Sequence, residues 1–196
     1  MAGAPQHSTR VIGIDPGLNV TGYGVVECGA NGVKLVEAGV IRAPRSQGDN
    51  LPIRLESLFD GLREVINELR PEAMCLEEVY SHTDYPRTSI LMGHARGVIS
   101  LAARLARLPV LSFSAKRVKQ SVTGNGNASK LQVQRAVQQF FSLDRPPQPP
   151  DVADALAVAL CYVNALRTAR RGMTVFRSRR ARSQRAPAMA WRGGTL

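Results

Sequence analysis

Apolar side chains recur along the chain with two different periods, and the alternation between them marks out the elements. Arg10–Asp15 (RVIGID) is a short β-branched run closed by Pro16-Gly17, the pattern of a strand ending in a turn. Val20–Cys28 and Val33–Ile41 are equally rich in strand formers. The Gly29-Ala30-Asn31-Gly32 between them has the length and composition of a hairpin turn. An antiparallel three-stranded meander is therefore expected first. After a polar linker over 43–50, Leu55, Leu58, Phe59, Leu62, Val65, Ile66 and Leu69 repeat with a period of about 3.6 residues, and the amphipathic helix they predict ends at Arg70-Pro71. Ala73–Val79 is a nearly continuous apolar strand broken by two carboxylates, the kind that lies inside a parallel sheet. A helix over Thr88–Leu108, a break at Pro109 and a strand over Val110–Phe113 follow. Ser114 caps a short basic helix running to Val122, and Ser129 with Gln132 forms a capping-box pattern that opens a helix to Phe141. A proline-rich loop over 145–150 leads into the strongly apolar helix that starts at Asp151. The order βββ-α-β-α-β-α-α-α predicts an α/β fold: a mixed five-stranded sheet, three strands antiparallel and two parallel, with helices on both faces.

Composition adds a partner and a boundary. The 196 residues suit one domain plus a tail, and 26 Lys plus Arg against 15 Asp plus Glu leave a net charge of +11, which points to a polyanion such as nucleic acid. The charge is unevenly placed. Residues 167–196 hold nine Arg, no Lys and no acid, so they carry +9 of the +11, and the remainder of the chain is close to neutral. Three segments are expected: a flexible start over 1–9, a folded domain over 10–168, and an Arg-rich, disordered arm over 169–196 that binds phosphates without selectivity. At 44% hydrophobic residues the chain is too apolar to be disordered throughout. Its longest apolar stretch, about Leu156–Leu166, falls short of the ~18 residues that span a bilayer, and Met1–Arg10 has no signal-peptide run, so no membrane and a cytoplasmic location are expected. Cys28, Cys75 and Cys161 are far apart, in apolar segments and without a C-x-x-C pair, and read as buried small hydrophobes.

Four acidic residues stand where a core would ordinarily be apolar. Asp15 ends the first strand, and Glu77 lies near the end of the strand 73–79, which could pair beside it. Asp151 and Asp154, three apart at the start of the last helix, project about 60° from one another. Structural roles compete: a turn former at Asp15, an N-cap at Asp151, a dipole partner at Asp154. Strand alternation allows only one of Glu77 and Glu78 to join the group. Gathered carboxylates repel, and divalent cations relieve the cost. An all-oxygen set suits Mg²⁺ or Mn²⁺, and two ions about 4 Å apart make a phosphodiesterase clamp. Gly93 and Gly97, one turn apart, permit close helix approach, either within the domain or across a dimer axis.

Six motifs in register, Gly13-Ile14-Asp15-Pro16-Gly17 with Thr21–Val26, Leu76–Tyr80, Gly93–Val98, Val118-Lys119-Gln120, Gly124–Lys130 and Asp151–Ala157, closely resemble the bacterial RuvC Holliday-junction resolvases. The resemblance runs from about residue 11 to 166. It implies a ribonuclease-H-like nuclease domain and a homodimer that nicks two opposed strands of four-way junction DNA with two metal ions per site, leaving 5′-phosphate and 3′-hydroxyl ends in recombination and repair. A branch-migration complex of the RuvA and RuvB type is the implied partner. The family's carboxylates fall on Asp15, Glu77, Asp151 and Asp154, its base-stacking aromatic on Tyr80, and its lysines on Lys119 and Lys130. Asn125 and Asn127 in the Gly124–Asn127 loop are expected to approach the DNA strand, with Lys116, Arg117 and Arg135 extending the surface. A non-catalytic junction-binding protein and a related nuclease acting on RNA are the alternative functions.

Overall fold

The structure, a computed structural model, describes residues 8–44, 50–78 and 86–183. Strands β1 (Thr9–Asp15), β2 (Val20–Gly29), β3 (Gly32–Arg42), β4 (Ala73–Glu77) and β5 (Val110–Phe113) form one sheet in the order β3-β2-β1-β4-β5. The first three pair antiparallel as a meander, whereas β1–β4 and β4–β5 are parallel. Helices α1 (Leu51–Leu69), α2 (Pro86–Leu105), α3 (Ala115–Thr123), α4 (Lys130–Phe140) and α5 (Pro150–Ser183) complete the expected order. The β2–β3 turn uses Ala30 and Asn31, and the positive φ it needs falls on Gly32, at 115°.

Strand alternation divides the core in two. Ile12, Ile14, Met74 and Leu76 point to one face and are covered by Leu58, Leu62 and Ile66 of α1 and Ile99 and Ala103 of α2. Val11, Val26 and Cys75 point to the other, where Val118 of α3, Val133 and Val137 of α4, and Leu156 and Leu160 of α5 meet them. From Val152 to Cys161 every residue of the fifth helix but Asp154 is buried, which is why its sequence has no amphipathic stripe. All three cysteines are buried and unpaired.

The boundaries differ from expectation in three places. Strand β4 ends at Glu77, and Val79 lies outside the described residues. The second helix enters two residues early, with Pro86 in its first turn where no N–H is needed, and stops at Leu105 rather than Leu108. Arg107 there adopts the left-handed conformation, with φ 59°, and the Leu108 amide donates back to the Ala103 carbonyl at 2.9 Å. Helix α5 continues to Ser183, through 15 residues where composition led to an expectation of disorder. Arg, Ala and Met are strong helix formers even without an apolar stripe. The chain divides into two compact units, Met1–Val163 and Asn164–Leu196, and the whole sheet belongs to the first. Among the described residues no helix is long and apolar enough to cross a membrane.

Candidate active site

Strands β1 and β4 run side by side with Ile14 in register with Leu76, so the next residues, Asp15 and Glu77, end the two strands as neighbours. Alternation sends both toward the α5 face, together with Val11 and Cys75. Glu78 falls on the other side and is exposed, its amide donating to the Phe113 carbonyl at 2.8 Å. Of the two adjacent glutamates, Glu77 is therefore the one that joins Asp15.

What brings Asp151 and Asp154 to this place is a set of glycines that the sequence reading had not singled out. Gly13 lies opposite Gly24, and Asp15 opposite Gly22, so all four share one face of the β1–β2 pair. A Cβ at Gly13 would stand 2.1 Å from the Ala155 carbonyl oxygen, one at Gly22 2.2 Å from that of Asp151, and one at Gly24 2.5 Å from Leu156 Cδ2. The first two turns of α5 thus lie against bare backbone, closer than any side chain permits. The signal was legible in principle, because Gly13, Gly22 and Gly24 fall on alternate strand positions, a pattern that marks close backbone approach.

The electrostatics follow from this crowding. Asp15 is pushed up to about 7, by burial first and then by repulsion from Asp154, Asp151 and Glu77. Glu77 is raised by burial and by Asp154, and Asp154 chiefly by burial. Two lysines oppose these shifts. Lys130, at the first position of α4, places Nζ 3.5 Å from Asp154 Oδ2 and is itself raised by that carboxylate. Lys119 of α3 favours the charged forms of Glu77 and Asp154. The expected carboxylates and lysines thus converge on one end of the sheet.

The remaining candidates sit nearby with local occupations of their own. The stem of Lys116 covers Gly126, where a Cβ would stand 2.7 Å from its Cγ. Arg117 stacks its guanidinium 5.0 Å over the Phe113 ring while remaining exposed. Asn125 and Asn127 are exposed, but the Asn125 side-chain oxygen accepts from the Asn127 amide at 2.9 Å and so shapes the loop. The capping box at Ser129 and Gln132 is present in both directions and holds Lys130 in place. Arg135 is exposed on α4. Tyr80 lies outside the described residues.

These groups fit a divalent cation by their chemistry. All four are hard oxygen donors, and burial with mutual repulsion disfavours the charged forms of Asp15 and Glu77, a cost that a bound cation would relieve. Among the described residues no three acidic, histidine or cysteine side chains are drawn together tightly enough to hold an ion.

A family model described as Crossover junction endodeoxyribonuclease RuvC matches residues 11–162. A protein of that name from Rhodopirellula baltica is 50% identical over 157 residues, covering 80% of this chain and 87% of that one. A namesake from Moorella thermoacetica is 44% identical over 154 residues, covering 79% and 90%. Among solved structures, the T. thermophilus RuvC in complex with Holliday junction substrate superposes with a TM-score of 0.74 at 31% identity, covering 82% of this chain and 96% of that one.

Proposed function

Because the chain belongs to the RuvC family of crossover junction endodeoxyribonucleases, we propose that it resolves Holliday junctions by paired, metal-dependent nicks in two opposed strands, in recombination and repair. The observation that carries this reading is the gathering of Asp15, Glu77, Asp151 and Asp154 at one end of the sheet, where burial and the other three carboxylates raise Asp15.

In the mechanism Asp15, Glu77, Asp151 and Asp154 are the residues that would hold two Mg²⁺ or Mn²⁺ ions. Bound there, divalent ions would supply water activation and charge compensation for phosphodiester hydrolysis to 5′-phosphate and 3′-hydroxyl ends. Asp15, buried and coupled to Glu77, Asp151 and Asp154, stands at the centre of the set that would hold them. Lys130 and Lys119 bring positive charge to the edge of the acidic cluster and hold the phosphates on either side of the scissile bond. The Gly124–Asn127 loop, Lys116 and Arg117 extend that grip, and Tyr80, following directly on Glu77-Glu78-Val79, stacks on a base at the crossover.

Paired nicks require two sites, and a homodimer supplies them. What supports it is the outward face of α2, where Ile90, Leu101 and Leu105 are exposed in line with Gly93 and Gly97, and a Cβ at either glycine would meet nothing within 4 Å. That strip lets a second copy approach to backbone distance. Three unpaired buried thiols suit the cytoplasm, and a RuvA- and RuvB-type motor is the partner the family implies.

The test is a synthetic four-way junction with a metal titration. Symmetric, ligatable nicks that depend on Mg²⁺ or Mn²⁺, with binding but no nicking by Asp15→Asn, are expected. Junction binding by the wild type without cleavage at any metal concentration would make it a non-catalytic binder, and faster cleavage of structured RNA would move the substrate class.

A further inference from the structure

Glu77 ends β4, and its carboxylate is only as well placed as the last peptide of that strand. The Glu78 amide points to β5, where it donates to the Phe113 carbonyl at 2.8 Å. The trans geometry of the peptide then turns the Glu77 carbonyl the other way, toward β1. The β1–β4 ladder pairs Gly13 with Cys75 and Ile14 with Leu76, and carried one step further it calls for a backbone N–H from residue 16. Residue 16 is proline, which has none.

Arg96, on α2, fills that gap. Its Nη1 donates to the Glu77 carbonyl oxygen at 2.5 Å and its Nη2 to Ser112 Oγ at 2.7 Å, so one guanidinium ties the end of β4 to the middle of β5. The planar fork fixes both bonds at once in one geometry, which a lysine ammonium, a point charge on a flexible stem, does not. Arg96 is half-buried and is not among the groups that shift the Glu77 carboxyl, so its contact is with the main chain rather than with the carboxylate.

We propose that Arg96 is a positioning residue for the metal site: its guanidinium replaces the ladder hydrogen bond that Pro16 cannot donate and so holds Glu77 in the place the reaction requires. This rests on the resolvase reading, in which Glu77 is a metal ligand. Asp15-Pro16 and Arg96 then form one unit, because the proline that turns the chain beside Asp15 creates the need that the arginine meets. Groups that orient a ligand from behind typically change metal affinity or activity by about 10- to 100-fold when removed.

The experiment uses the full chain with three variants, Arg96→Met, Arg96→Lys and the double variant Pro16→Ala/Arg96→Met. Two readouts are taken: the Mg²⁺ concentration at the midpoint of the thermal shift of the protein without DNA, and kcat against junction Kd measured in Ca²⁺. For Arg96→Met, a midpoint about tenfold higher and kcat about tenfold or more lower are expected, with Kd within twofold of wild type. Arg96→Lys shifts both in the same direction by less, and it carries the test if the methionine variant does not fold. Pro16→Ala, which restores an N–H, recovers part of the midpoint in the double variant. A midpoint and kcat within twofold of wild type would overturn the proposal, as would a loss confined to Kd, which would make Arg96 a DNA contact. If wild type shows the Mg²⁺ shift but does not cut junctions, the resolvase reading fails while the role of Arg96 toward Glu77 is still decided by the midpoint.

Discussion

At Asp15 stability and chemistry pull in opposite directions. Its carboxyl stands at about 7 in the folded chain against 3.8 ordinarily, so the folded state disfavours its charge. Stability from this group is greatest below the ordinary value and is lost as pH rises from there to about 7. At about 1.4 kcal/mol per pH unit the loss is on the order of a few kcal/mol. Asp15→Asn is therefore expected to raise the melting temperature of the metal-free protein at pH 8 by roughly 5 °C or more, and the gain should disappear near pH 4 in a thermal-denaturation series. Mg²⁺ should raise the melting temperature of the wild type but not of the variant, and an equal rise in both would remove Asp15 from the metal site. The candidacy of all four acids was legible from strand ends and helix starts. Of Glu77 and Glu78, alternation alone showed that only one could join the site and the family resemblance pointed to Glu77; the face on which α5 lies came from the tertiary structure.

Among the elements, α5 and the β1–β2 pair form the frame of the site. A methyl group at Gly22 would stand 2.2 Å from the Asp151 carbonyl oxygen, which only displacement of the first turn of α5 can relieve. Gly22→Ala is expected to cost about 1–3 kcal/mol in denaturant unfolding and to lower kcat more than junction affinity, since it moves two ligands and leaves Lys119 and the loop in place. A smaller effect belongs to α4. Ser129→Ala removes the cap that receives the Gln132 amide and should cost about 1 kcal/mol while weakening the hold on Lys130. Element order, the hairpin and the capping box were all readable from local pattern. The early end of α2 was not, because Arg107 takes up a left-handed turn that composition favours for glycine or asparagine.

For the whole molecule, charge and assembly divide the work. Nine Arg and no acid over 167–196 supply most of the net charge, so a chain stopped after Leu166 should bind junctions with a log Kd against log salt slope smaller by about 3 or more, yet nick at saturating protein. Loss of nicking at saturation would give the arginine segment a part in the site. Leu101→Glu, in the exposed strip of α2, should yield a monomer by sedimentation that folds normally and nicks one strand at a time. Paired nicking by a monomeric variant would rule out α2 as the dimer face.

Sequence alone determined the element order, the mixed sheet, the four acids and the family, because each is written in runs of adjacent residues: periodicity, caps, turn formers and motifs in register. Tertiary structure decided what depends on residues far apart in the chain. It laid α5 on Gly13, Gly22 and Gly24, turned Glu77 and Asp15 to the α5 face, and gave Asn125 to its own loop. It also sent Arg96 to a carbonyl that Pro16 leaves unserved. These are matters of register and close approach between elements, which no local pattern encodes.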